Sequence, residues 1–141
     1  MQKTITDSYL GIIEYSDDLD MYEGKIKLEN GEQLEFSFDV DDNLEKIVDI
    51  TRNVVKTIST RNSQFKEYIA EQLLDLYNDD WSEEETIDKK EFINRISLES
   101  VTIYDDNSPE IYYQDGDLFA GHYIALSLNS EGKLGEPYLA G

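Results

Sequence analysis

The chain contains no cysteine, which excludes a disulfide framework, a thiolate zinc site and a cysteine nucleophile. It has a single histidine, His122, too few imidazoles for most zinc sites. With only two prolines and eight glycines, it shows no linker, internal repeat or low-complexity tract. No glycine run precedes a helix with a Lys-Ser/Thr pair, so no phosphate loop is present. A G-x-S-x-G elbow is also missing, and no cofactor is indicated. No apolar run approaches the roughly 18 residues needed to cross a membrane. The start, MQKTITDSYLGIIEYSDD, lacks a basic segment followed by an apolar run of signal-peptide length. A reduced, cytoplasmic compartment is the expectation.

Basic residues are the scarcest class relative to their opposites. Twelve Lys and Arg face 32 Asp and Glu, for a formal net charge of -20. That balance repels nucleic acid and anionic membranes, which bind by releasing counterions to basic patches. It favours a basic protein partner and speeds the encounter with one. The plainer account of the acid is solubility, spread along the chain.

What is present is enough for one domain. A chain of 141 residues buries about 68% of its unfolded surface and needs neither metal nor disulfide to hold together. The first third predicts strands: Tyr9 to Tyr15, then Glu23 to Glu29, then Leu34, Phe36, Phe38 and Val40 in strict alternation with polar residues. Asn30-Gly31 between the last two suits the two positive φ angles of a type I′ hairpin turn.

The middle third predicts helices. Asp41 or Asp42 is positioned to cap a first helix with Leu44, Ile47, Val48, Val54, Val55 and Ile58 on one stripe. Ser59 to Ser63 (STRNS) predicts a break, followed by a second helix with Phe65, Ile69, Leu73, Leu76 and Tyr77. Asp88 with Glu91 resembles a capping box for a short third helix burying Phe92, Ile93 and Ile96. Strands return around Val101 and Ile103, Ile111 to Tyr113, Gly121 to Leu128, and Tyr138 to Ala140. Turn chemistry separates them at Asp105 to Pro109, Asp115 to Asp117 and Asn129 to Gly132. The expected fold is α+β: an antiparallel sheet of N- and C-terminal strands, with two or three helices from the middle packed on one face.

Candidate chemistry is sparse. By period two, His122 shares a face with Ile124, Leu126 and Leu128, the side expected to face the core. As a general base it would need an orienting acid, and Asp115 and Asp117 are near in sequence. The Asp115-Gly116-Asp117 stretch and the SDDLDMYEG stretch both miss the calcium-loop pattern, so turn formation explains them better. Chance pairs among 32 acids identify no glycosidase dyad. Trp81, flanked by Asp79, Asp80, Glu83, Glu84 and Glu85, suits either an interface anchor in an acidic rim or a ring folded back to close the core. Ten tyrosines, among them Tyr104, Tyr112, Tyr113, Tyr123 and Tyr138, suit a half-buried sheet face or a protein-binding one.

The run DGDLFAGHYIALSL with a closing Ala140-Gly141 resembles a bacterial family of uncharacterised domains that carry a GDLF-x-GH-x-I strand and end in Ala-Gly. YLGIIEY, YEGKIKL, the DVDD entry to the helices and the acidic Trp81 connection are similar to it as well. The resemblance implies no activity, catalytic residue or cofactor. It is compatible with Gly116 to His122 being a structural corner as much as a site. Small acidic bacterial domains of this general kind serve in some cases as immunity or antitoxin-like partners, an analogy of class only.

Two readings follow. One is a non-enzymatic, acidic interaction domain, of immunity or inhibitor type, for a basic protein. The other is a small enzyme or ligand-binding domain with a pocket around His122 and the Asp115-Asp117 turn. Asp115, Asp117, Phe119, His122 and Trp81 are the candidate ligand- or partner-binding residues, with no catalytic or metal-binding residue assigned. A nucleic-acid mimic, its carboxylates imitating phosphate spacing, is a third possibility.

Overall fold

The computed structural model describes residues 3–39, 42–82, 85–104, 108–129 and 131–141. Its strands are β1 (Thr4–Asp7), β2 (Gly11–Ser16), β3 (Met21–Lys27), β4 (Gln33–Asp39), β5 (Ser97–Ile103), β6 (Pro109–Gln114), β7 (Tyr123–Ser127) and β8 (Tyr138–Ala140). They form one eight-stranded sheet in chain order. Between β4 and β5 lie helix α1 (Leu44–Leu76), a π-helical turn (Tyr77–Trp81) and helix α2 (Lys89–Arg95).

The fold is thus α+β, with two antiparallel meanders, β1 to β4 and β5 to β8. The expectation of a wholly antiparallel sheet needs one correction: β4 and β5 pair in parallel, Phe36 opposite Val101 and Phe38 opposite Ile103. A helical crossover carries the chain back to the end from which β4 set out, and a strand laid down after such a return runs parallel. β1, paired with β2 from Thr4 opposite Glu14 to Asp7 opposite Gly11, is an element the sequence pattern did not announce.

The helix count also differs. Ser59 to Ser63 does not break the chain; α1 runs 33 residues without interruption. No Pro or Gly lies within it, and the Thr51 and Thr57 hydroxyls bond back to the carbonyls of Ile47 (2.8 Å) and Asn53 (2.9 Å), so their polarity is absorbed inside the helix. The buried stripe continues through the supposed break as Val55, Ile58, Asn62, Phe65 and Ile69. The N-cap is Asn43, whose side chain accepts from Lys46 N (3.1 Å), one residue beyond Asp42. Asp41 lies outside the described residues, as do Val40, Glu83, Glu84 and Asp105 to Asn107. At α2 the expected cap is present, Asp88 accepting from Glu91 N at 2.8 Å.

The β3–β4 turn is a hairpin of a different type. Gly31 has φ +90°, whereas Asn30 is not among the positive-φ residues. Gly31 N donates to Leu28 O and Leu28 N to Glu32 O, a three-residue loop of type I geometry closed by a left-handed glycine.

One sheet face carries the core. Leu34, Phe36, Phe38, Val101, Ile103, Ile111, Tyr113, Ile124 and Leu126 are buried there with Ile47, Ile58, Phe65 and Ile69 of α1 and Phe92 of α2. At about 50 Å, α1 exceeds the roughly 34 Å width of eight strands and is tied to both sheet edges. Arg52 holds Asp7 of β1, while Arg61 Nη1 and Tyr68 Oη donate to the carbonyls of Gly132 (3.0 Å) and Gly135 (3.0 Å), before β8.

The Asp7 carboxylate is buried and accepts from Arg52, from Leu10 N (2.8 Å) and from Tyr9 N (3.0 Å). The Arg52 bond and the two amides outweigh desolvation and lower its pKa to about 2. Because the folded value lies below the unfolded one, the resulting stability is complete above about pH 4. It drains away as pH falls through about 2, and its size is about 2 kcal/mol. Urea midpoints taken between pH 6 and pH 2 check this: the gap between wild type and Asp7→Asn should narrow by that amount toward pH 2. A gap independent of pH would show that the ion pair contributes nothing through charge.

Candidate functional site

The sequence candidates meet at one corner of the molecule. The loop after β6 is left-handed at Gly116, Asp117, Ala120 and Gly121, two of them residues that pay a steric cost there. Asp115 holds it. Its buried carboxylate accepts from Asp117 N (2.9 Å), Phe119 N (2.8 Å) and Gly121 N (3.1 Å). Gly116 sits so close to the Arg95 backbone that a Cβ would lie 2.3 Å from its carbonyl oxygen, and Arg95 Nη2 donates to Gly116 O (2.9 Å).

This clamp turns Phe119 into the core, fully buried, where Tyr77 (5.8 Å), Trp81 (5.5 Å) and Phe92 (6.2 Å) meet its ring. Trp81 is half-buried and also lies edge-on to His122 at 6.0 Å. Asn78 braces the connection behind it, its amide exchanging hydrogen bonds with Ile87 O and Ile87 N at 3.0 Å each. His122 itself is half-buried and precedes β7 rather than lying within it. The core-facing alternation begins only at Ile124. Asp117 is exposed. The structure therefore brings Phe119, His122 and Trp81 together in an aromatic corner, spends the Asp115 oxygens on three backbone amides, and leaves Asp117 at the rim.

A second feature lies on the sheet face opposite the helices. Strand alternation places Glu14, Glu23, Lys25, Glu35, Ser37, Ser100 and Thr102 there, linked in register from β2 to β5. Ser37 and Thr102 join hydroxyls at 3.1 Å across the central parallel pair. Among the described residues no helix covers this face, and two adjoining hollows open on it. The larger, about 940 Å³, is lined by these residues with Ile12 and Leu19 at its rim, within the range of small-ligand clefts. The smaller, about 320 Å³, is lined by Glu35, Glu99, Ser100, Tyr112 and Tyr123.

A β-bulge makes the smaller hollow. Pairing between β5 and β6 slips between Leu98 and Ser100, and Glu99 and Ser100 both line the hollow. An extra residue re-aims a side chain in this way. Glu99 Oε2 and Glu110 Oε1 are buried with no hydrogen-bond partner among the described residues. The Tyr112 hydroxyl is pushed up in pKa by burial, by its bond to Tyr104, by the nearby Glu110 charge and by a hydrogen bond with the Glu110 carboxylate. Its ring meets that of Tyr123 edge-on at 6.5 Å. Ile12 (63%), Leu19 (60%), Tyr123 (43%) and Tyr138 (48%) are the large apolar or aromatic side chains most exposed here.

Tyr112, Tyr123 and Tyr138 stood out in the sequence as strand tyrosines. Glu99 and Glu110 did not, because they are two acids among the 32 of the chain; only the bulge and the buried oxygens single them out. Among the described residues no group of acids and histidine is placed to hold a metal ion, and no helix is long and apolar enough to cross a membrane.

An eight-stranded sheet with helices on one face and carboxylates along the opposite one defines an α+β protein with an exposed sheet surface. The chain belongs to a bacterial family described as an uncharacterized protein conserved in bacteria (DUF2262), which matches residues 7–137. The match runs from the last residue of β1 to the residue before β8, the family membership its resemblance implied. No curated protein and no solved structure matches the chain.

Proposed function

We propose that this protein is a non-enzymatic interaction domain, of inhibitor or immunity type, whose partner is a basic protein. The observation that carries the reading is that its acid is displayed rather than neutralised. Among the described residues, ion pairs engage Asp7, Asp17, Asp49, Glu32, Glu67, Glu71 and Glu131, a small part of the 32 acids in the chain. Most of the remaining acids among the described residues are exposed, where they steer a cationic partner. The alternative, a ligand pocket at the aromatic corner, draws on the contact between His122 and Trp81.

Immobilised protein exposed to a nuclease-treated bacterial lysate tests the two. The expected result is one near-stoichiometric basic protein, retained at about 0.05 M salt and released by about 1 M, where the screening length falls to about 3 Å. His122→Ala should retain it equally well. Capture indifferent to salt overturns the charge argument. Loss of capture in a folded His122→Ala protein transfers the site to the corner.

A further inference from the structure

We propose that the uncovered sheet face is the docking surface for an extended, arginine-bearing segment of that basic partner, with one guanidinium seated between Glu99, Tyr112 and Tyr123. The inference rests on the interaction reading above and adds the surface and the chemistry of what covers it.

Charge selects the occupant. The two hollows share Glu35 and Ser100, so they form one continuous trough. Its lining carries Glu14, Glu23, Glu35 and Glu99 against Lys25 alone. Four carboxylates facing one ammonium repel an acidic segment and attract a cationic one.

Shape selects an extended chain. From Ile12 on β2 to Tyr123 on β7 the trough crosses five strand spacings, roughly 24 Å. About seven residues of extended polypeptide cover that distance. The exposed Ile12 and Leu19 at one end match an apolar residue of the segment, while the other end is polar and aromatic.

The smaller hollow selects arginine over lysine. A buried carboxylate oxygen without a donor carries a desolvation cost that a charged donor removes. Glu99 Oε2 is such an oxygen, in a residue that lines the hollow, and Glu110 Oε1 is another, on the strand that carries Tyr112. The two tyrosine rings lie edge-to-face beside it. A planar fork with five donors satisfies the Glu99 oxygen while resting on an aromatic face, whereas an ammonium is a compact, strongly hydrated point charge.

The test uses a capped, fluorescein-labelled octapeptide in which arginine alternates with leucine and serine, and a lysine counterpart, by fluorescence anisotropy at low salt. The protein carries either Glu35→Gln, Glu99→Gln and Glu110→Gln on the sheet face, or Glu45→Gln, Asp75→Asn and Asp79→Asn on the helical side, where all three side chains are exposed. Both triples change net charge equally, and circular dichroism establishes that each is folded. The sheet-face triple should weaken arginine-peptide binding at least tenfold, against about twofold or less for the helical triple. Tyr123→Ala should weaken it about threefold or more, and the lysine peptide should bind several-fold less tightly than the arginine one.

Equal losses for the two triples would reduce the effect to net charge and overturn the docking surface. Equal binding of the two peptides would overturn the guanidinium seat. A lysate partner captured undiminished by the sheet-face triple would overturn this surface alone. Site-specific peptide binding with no basic protein captured would instead overturn the interaction reading on which it rests.

Discussion

Asp115→Ala is expected to lower stability by about 3 to 5 kcal/mol, because three backbone amides lose a charged acceptor in a buried loop. For a chain of this size that corresponds to a fall of roughly 10 to 17 °C in Tm. Asp115→Asn keeps one carbonyl oxygen and should lose roughly half as much. The carboxylate is the element that makes the left-handed path through Gly116, Asp117, Ala120 and Gly121 the lowest one available, and that path turns Phe119 inward. Thermal unfolding followed by far-UV circular dichroism measures the loss. An Asp115→Ala protein as stable as wild type, but unable to bind its partner, would show that Asp115 serves the surface rather than the fold.

Glu32→Ala should be the other costly substitution, at about 3 kcal/mol. Glu32 follows the β3–β4 turn and gathers four donors. Its Oε1 accepts from Asn30 Nδ2 (2.9 Å), Asn62 Nδ2 (2.9 Å) and Lys66 Nζ (3.0 Å), and its Oε2 from Leu98 N (2.9 Å). Burial raises its pKa, but the bonds from Leu98, Lys66 and Asn62 prevail and hold it below the ordinary carboxylate value. Asn62 Oδ1 in turn accepts from the buried Tyr113 hydroxyl at 2.7 Å. The network thus joins the hairpin to the middle of α1, to the start of β5 and to β6. A cycle pairing Glu32→Ala with Tyr113→Phe in urea unfolding should show a coupling of about 1 kcal/mol. Strict additivity would mean that Asn62 does not transmit between them.

Asn62 also explains why the helix count was illegible along the chain. In STRNS a buried asparagine among hydroxyl residues has the composition of a break. Its amide is satisfied by Glu32, 30 residues earlier, and by Tyr113, 51 residues later, and partners at that separation leave no local pattern. The polar residues around it stay helical because tertiary packing on both sides outweighs weak local propensity.

The α+β class, the Leu34-Phe36-Phe38 strand, the Asp88 cap and the core side of β7 from Ile124 onward were legible, because each depends on neighbours within a few residues. Alternation and capping are near-range physics. The turn residues at Asp115 and Gly116 were legible in the same way, though the purpose of the carboxylate was not. The Asn30-Gly31 signal located the hairpin and missed its type, since only Gly31 takes up positive φ.

The uncovered face lay beyond local pattern. Glu99 in a strand of alternating residues is one acid among many, and what distinguishes it is a one-residue slip against β6. The parallel join of β4 to β5, which sets Glu35 beside Ser100, depends on where a helix of 33 residues returns the chain. Short-range preference chose the elements of this protein; the length of α1 and the packing it permits chose which sheet face remained open and which carboxylates stand on it.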